Sequence, residues 1–285
     1  MAKFTRGKTD MEYTDLILSQ NESVLTITVN RPEVLNAQSR IMREELDDAF
    51  ENARLDDSVK VVIIAGAGDH FSAGHDLGSP QEMKDREDRP YAPGTAGEYE
   101  RSWQQNVANT LRWRDFPKPT IAQVHGYCIM GGIILAASCD LIVASEDARF
   151  SDRTVRWGGP HVQYLALPYE IGVRKAKEYL FTGDWITAKE AETMGLVNRV
   201  VSREDLEEET MKLAERIALQ DPFALRLSKA SVNQLQDQMG YRNSIISGFH
   251  NHALGLSHRR EMYEGERITS KERAAKRDER FGDRN

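Results

Sequence analysis

Four consecutive apolar residues, Val61, Val62, Ile63 and Ile64, constrain this chain most. A β-branched run with no polar residue at alternate positions reads as a strand covered on both faces, as in parallel sheets flanked by helices. The residues before it supply a cover. Ser39 is placed to cap a helix in which Met42, Leu46, Ala49, Phe50 and Ala53 recur on one face. Ahead of that helix, "LILSQNESVLTITVN" reads as two strands joined by a polar turn at Asn21 and Glu22, with Pro32 closing the second. Strands, a helix and a buried strand imply an α/β core.

The pattern continues along the chain. "TIAQVHGY" and "DLIVAS" read as strands on either side of a short small-residue helix at 131–138. Thr187 and Glu190 form a capping box, Gly195 stops that helix, and "LVNRVV" returns as a strand. Residues 78–104 break every period and read as a long loop, with a helix starting near Glu98. Beyond Ser202 no strand pattern remains: Leu206, Leu213, Ala214 and Ile217 share a helix face, and Asp221 with Pro222 starts another helix. The division expected is a core over 11–201 and a helical, charge-rich appendage over 202–285.

Composition removes several classes of function. The chain has 285 residues, 40% hydrophobic and 29% charged, which is globular and long enough for a sizeable core. A formal charge of −7 leaves no net basic field for nucleic acid. Two cysteines, Cys128 and Cys139, lie in small-residue surroundings that read as packing, which fits a reducing compartment. The N-terminus lacks a signal-peptide pattern and no apolar run reaches bilayer length, so a cytoplasmic protein without a membrane partner is expected.

Familiar site motifs fail on inspection. "GAGDHF" lacks the third glycine of a dinucleotide fingerprint, no G-x-S-x-G occurs, and neither His70, His75 and Asp76 nor His250 and His252 have a metal-ligand spacing. Two stretches remain: "HFSAGHDL" (70–77) and "HGYCIMGGIILAASCD" (125–140). Each follows an apolar strand and places glycine at a turn, which would leave backbone N–H groups outside the sheet. Two such donors converging on one point make an oxyanion hole.

With "NRPEVLNAQS", "FSAGHDL", "PKPTIAQVHGYCIMGG", "LAASCDLIVASEDARF" and "FTGDWITAKEAETMGLVNRVV" in order, residues 13 to 200 resemble the enoyl-CoA hydratase/isomerase, or crotonase, family. The resemblance implies a spiral of ββα units. It also implies C-terminal helices packing on neighbours in a homotrimer or homohexamer, an acyl-coenzyme A thioester as substrate, and no separate cofactor. It makes the backbone N–H groups of His75 and Gly131 the oxyanion donors. Val34, Leu35, Ala37 and Ala73 would seat the coenzyme, and the neighbouring Asp76 and Leu77 belong to the same binding segment.

The departures from the family pattern are chemical. The two glutamates that family hydratases use for acid–base work fall at Ile134 and Thr154, which would line the acyl site instead. Neither side chain exchanges a proton near neutrality, so a base must come from elsewhere. Asp152, His161 and the His75 imidazole are the candidates, histidine being the side chain that ordinarily titrates near neutral pH. Isomerisation, thioester hydrolysis or binding without catalysis would use the same hole. Tyr91, Tyr99 and Trp103 are placed to roof a bulky acyl chain.

Overall fold

A computed structural model of the chain describes residues 11–263. Strands β1 (Leu16–Asn21) and β2 (Val24–Val29) form the expected hairpin. Helix α1 (Arg40–Leu55) follows, with Ser39 Oγ accepting the Met42 N–H, and its buried face holds the five apolar residues read from the sequence. Strand β3 (Val61–Gly66) is buried along its apolar run. Next come α2 (Pro80–Asp88), α3 (Gly94–Trp103), α4 (Asn109–Arg114), β4 (Thr120–Val124), β5 (Tyr127–Ile129), α5 (Gly131–Ala137), β6 (Leu141–Ser145) and β7 (Arg149–Ser151). The chain then runs through α6 (Leu167–Ile171), α7 (Val173–Thr182), β8 (Ile186–Thr187), α8 (Ala188–Met194), β9 (Arg199–Val201), α9 (Leu206–Ala218), α10 (Pro222–Gln238) and α11 (Tyr241–Tyr263).

The main sheet has the order β1-β2-β3-β4-β6-β9; β1 is antiparallel to β2 and every other pair is parallel. A smaller sheet, β5-β7-β8, stands beside it. Both faces of the main sheet are covered, which explains why β3 carries no polar alternation. One face packs on α1 through Met42, Leu46 and Phe50; the other packs on α9, whose Leu206, Leu213 and Ala214 meet Val24, Val61, Ile63 and Ile121.

Two readings of the sequence change here. The segment 78–104 is mostly helical, because Ser79 caps α2 with Pro80 at its first position and α3 begins already at Gly94. Helix α9 belongs to the sheet's own core rather than to an appendage, since its apolar stripe finds a complementary sheet face. The residues after 263, expected to be helical, lie outside those described.

Candidate active site

The sheet order brings two turns together. Because β3 and β4 are parallel neighbours, the segments leaving their C-terminal ends emerge on the same side. They then run side by side, with Ser72 N–H donating to Tyr127 O (2.9 Å) and Ile129 N–H to Ser72 O (3.0 Å). On its other side the first segment pairs with residue 38: Gln38 N–H donates to Gly74 O (2.7 Å) and Asp76 N–H to Gln38 O (3.0 Å). In such a parallel bridge the residue between the two bonds directs its own N–H away from the partner strand. That residue is His75.

Neither His75 N–H nor Gly131 N–H has an acceptor among the described residues, the latter because it opens α5. The two turns touch. A Cβ on Gly131 would lie 3.0 Å from His75 N and 2.5 Å from its Cδ2, and one on Gly74 would lie 2.8 Å from Gly131 N. Gly74 (φ 93°) and Met130 (φ 48°) supply the positive-φ bends, Met130 being held by its N–H donating to Ser151 O (3.0 Å). Gly131 itself is required for close approach, not for an unusual φ.

One side chain ties both turns. Gln38 Nε2 donates to Gly131 O (3.0 Å), while the Gln38 backbone brackets His75. Gln38 Oε1 in turn accepts from Arg43 Nη2 (2.8 Å), and the Arg43 guanidinium also donates to Gln105 O and Asn106 Oδ1. Burial pulls Arg43 down to about 10, with Glu82 opposing, so it remains a cation at neutral pH.

A cavity of about 320 Å³ opens here, lined by Gln38, Arg43, His75, Asn106, Thr154 and His252 among others. That size admits a small ligand's acyl portion. His75 Nε2 and His252 Nε2 are both buried without a hydrogen-bond partner. Burial, then the positive charge of Arg43, holds the His75 imidazole well below its usual value. Burial likewise lowers His252, outweighing its bond to the His161 carbonyl.

The remaining expectations divide. Asp76 and Leu77 line the cavity beside His75, Asp76 accepting Gly78 N–H (3.0 Å) and Ser79 N–H (2.7 Å) and pairing with Arg31 (2.8 Å). Thr154 also lines it. Val34, Leu35, Ala37 and Ala73 form a neighbouring turn, joined by Ala73 N–H donating to Leu35 O (2.8 Å), and Leu35 is exposed. Ile134 is not a lining residue: it faces the helical side, in a cluster with Val107, Val162 and Tyr164. Asp152 is a loop-builder, accepting Thr154 N–H (3.0 Å) and Val162 N–H (2.9 Å). His161 turns its Nδ1 to Val162 O (2.7 Å) and presents no ring atom to the cavity.

Tyr99 and Trp103 pack edge-on against Phe249 of α11, and Tyr91 lies between Arg40 and Arg101, so none of the three roofs the cavity. Sequence reasoning missed Gln38, Arg43, Asn106 and the cavity role of His252. Their spacing carries no motif, because they converge from α1, the turn before it, the π-helical segment before α4, and α11.

The profile of the Enoyl-CoA hydratase/isomerase family matches residues 19–254, beyond the limit at residue 200 drawn from motifs. A putative enoyl-CoA hydratase of Mycobacterium tuberculosis is 41% identical over 266 residues, covering 89% of this chain and 84% of that protein. The crotonyl-CoA hydratase of Syntrophomonas wolfei is 35% identical, covering 79% and 83%. The crystal structure of a probable enoyl-CoA hydratase from Mycobacterium smegmatis superposes with a TM-score of 0.81 at 44% identity, covering 88% and 98%. The α/β fold, the paired turns and these matches agree: the chain belongs to the enoyl-CoA hydratase/isomerase family.

Proposed function

We propose that the protein acts on an acyl-coenzyme A thioester, holding the thioester oxygen between the N–H groups of His75 and Gly131 as an enolate forms. The observation that carries this reading is the pair of backbone amides, from turns in contact, with no acceptor of their own. Adding a nucleophile to a conjugated double bond, or removing a proton beside the carbonyl, moves negative charge onto that oxygen. A preorganised donor is worth about 2.7–4 kcal/mol there. Coenzyme A enters as part of the substrate, along the turn at Val34, Leu35, Ala37 and Ala73, and no separate cofactor is invoked.

Hydration is the leading reaction, with isomerisation or thioester hydrolysis as alternatives on the same hole. Binding without catalysis is the second reading, favoured by Ile134 in an apolar cluster where family hydratases carry a glutamate. A homotrimer or homohexamer suits the exposed Phe223, Leu227, Val232, Leu235 and Met239 of the α10 region, since exposed apolar stripes mark interfaces. Two free cysteines suit a reducing, cytoplasmic setting; no described helix is long and apolar enough to cross a membrane.

The test is a panel of saturated, 2-enoyl and 3-hydroxyacyl-CoA esters in heavy water, followed by mass spectrometry and isothermal calorimetry. Water gain by an enoyl ester identifies a hydratase, and deuterium at C2 alone identifies enolate chemistry of another kind. Tight binding with no chemical change across the panel identifies the noncatalytic reading. Absence of any ester binding refutes the proposal.

A further inference from the structure

The positions of the family's acid–base glutamates hold no proton carrier here, so the cavity must be searched for another. Its carboxylates are engaged: Asp76 with Arg31, Glu82 with Arg86 (2.7 Å), and Glu98 with Arg101 (3.7 Å) and Arg260. Two imidazole nitrogens are not, His75 Nε2 and His252 Nε2, both lacking partners and both on residues that line the cavity.

These nitrogens differ in what can be deduced about them. His252 Nδ1 lies 2.6 Å from the carbonyl oxygen of His161. A carbonyl oxygen only accepts, so the hydrogen sits on Nδ1. With the ring neutral, Nε2 then carries a free lone pair. This is the arrangement in which one ring nitrogen is fixed by a backbone acceptor and the other is left basic. No comparable bond assigns the tautomer of His75. The segment "RWGGPHVQYL" thus contributes the His161 main chain to the site, rather than its imidazole.

We propose that His252 Nε2 is the general base of this site, supplied by the C-terminal helix α11. The assignment rests on the thioester reading above. In the step, the C–H bond beside the thioester carbonyl breaks, its proton passes to Nε2 to give an imidazolium, and the bonding pair moves into the enolate, whose oxygen is held by His75 N–H and Gly131 N–H. Return of a solvent-exchanged deuteron from Nε2 to the same carbon restores the ester with deuterium at C2. When water adds to an enoyl ester, the same nitrogen takes the water proton as the C3–O bond forms and the π pair shifts into the enolate, and return of that proton to C2 completes the 3-hydroxyacyl ester.

The neighbourhood suits a neutral base. Along the cavity wall with His252 stand Arg43 from α1, His75, Glu98 and Arg101 from α3, and Arg259 from its own helix, while Asp152 and His161 act on it electrostatically from the intervening loop. Burial dominates among these influences and disfavours the imidazolium, so the ring enters the reaction unprotonated at neutral pH.

The test compares wild-type protein with His252→Asn and His252→Ala, reading deuterium at C2 and ester affinity. Asparagine retains a side-chain N–H for the His161 carbonyl while removing the basic nitrogen, which separates chemistry from packing. Both variants should lose about 10²–10⁴-fold in exchange rate, bind the ester within about threefold of wild type, and lose the acid limb of the pH–rate profile. Free imidazole should restore part of the rate of His252→Ala. Full exchange in either variant overturns the assignment while leaving the thioester reading intact; ester binding without exchange in the wild type overturns the assignment and leaves the noncatalytic reading. Failure of the wild type to bind any ester removes both.

Discussion

Substituting Gly131 by alanine tests the proposed oxyanion hole at its most constrained point. The new Cβ would lie 2.5 Å from His75 Cδ2, 2.9 Å from Nε2 and 3.0 Å from His75 N, distances at which the two turns must separate. The atoms that would yield are a ring and a main chain held by the Gln38 bridge, not the far end of a flexible side chain. Displacing one donor should lower turnover about 10²–10³-fold, or ~2.7–4 kcal/mol. Overpacking of this kind costs about 1–3 kcal/mol of stability, and each kcal/mol lowers Tm by roughly 2–4 °C in chains of comparable size. Gly195→Ala is the matched control: its φ of 87° penalises a side chain by about 1–2 kcal/mol, yet nothing lies within 4 Å of the added carbon. The assay is loss or gain of the conjugated thioester's ultraviolet absorbance, with Tm measured on the same samples. Gly195→Ala should lose stability and keep its rate, and Gly131→Ala should lose both. Wild-type turnover in a folded Gly131→Ala variant would refute the claim that these two amides stabilise the reacting oxygen.

Gln38→Leu keeps the backbone bridge but deletes the bond to Gly131 O and the partner of Arg43 Nη2. Turnover should drop by about tenfold or more with KM nearly unchanged, a loss of ~1.4 kcal/mol or more at the barrier; a change confined to KM would contradict a positioning role. Asp152→Ala leaves the part-buried N–H of Thr154 and the buried N–H of Val162 without their acceptor. That should destabilise the fold by about 1–3 kcal/mol per orphaned group, read as a lower urea midpoint, while partial activity survives because the carboxylate does not face the cavity. Acid should weaken the fold through its enclosed histidines. Burial, then Arg203, pushes His125 down to about 4, so the unfolded chain binds its proton first. Stability should therefore fall as pH drops from about 6.5 towards 4, and His125→Gln should flatten that slope in urea titrations; an unchanged slope would contradict the assignment.

Much of the scaffold was legible because it is set by local periodicity and capping. The α1 face, the buried β3 run, the Thr187–Glu190 box and the Asp221 cap all form as their residues dictate. The exception at 78–104 is instructive: polar, proline-containing stretches make poor helical patterns, yet Ser79 with Pro80 is a capping signal, and the structure uses it. The two turns were also legible, through glycines and through resemblance, although the left-handed bend before α5 falls on Met130 and not on a glycine.

What the sequence determined by itself is the elements with strong local periodicity and caps, β1 to β3, α1 and α8 among them, and the two glycine-bearing turns, since these depend on residues close together along the chain. What only the tertiary structure decided is which side chains stand in the cavity. Asp152 and His161 lie near the site in sequence but spend their side-chain bonds on their own loop. His252, far along the chain, is carried in by α11 and fixed by a single carbonyl. Side-chain direction and tautomer follow from contacts between distant elements, and those contacts exist only once the sheet, α3 and α11 have closed around the same space.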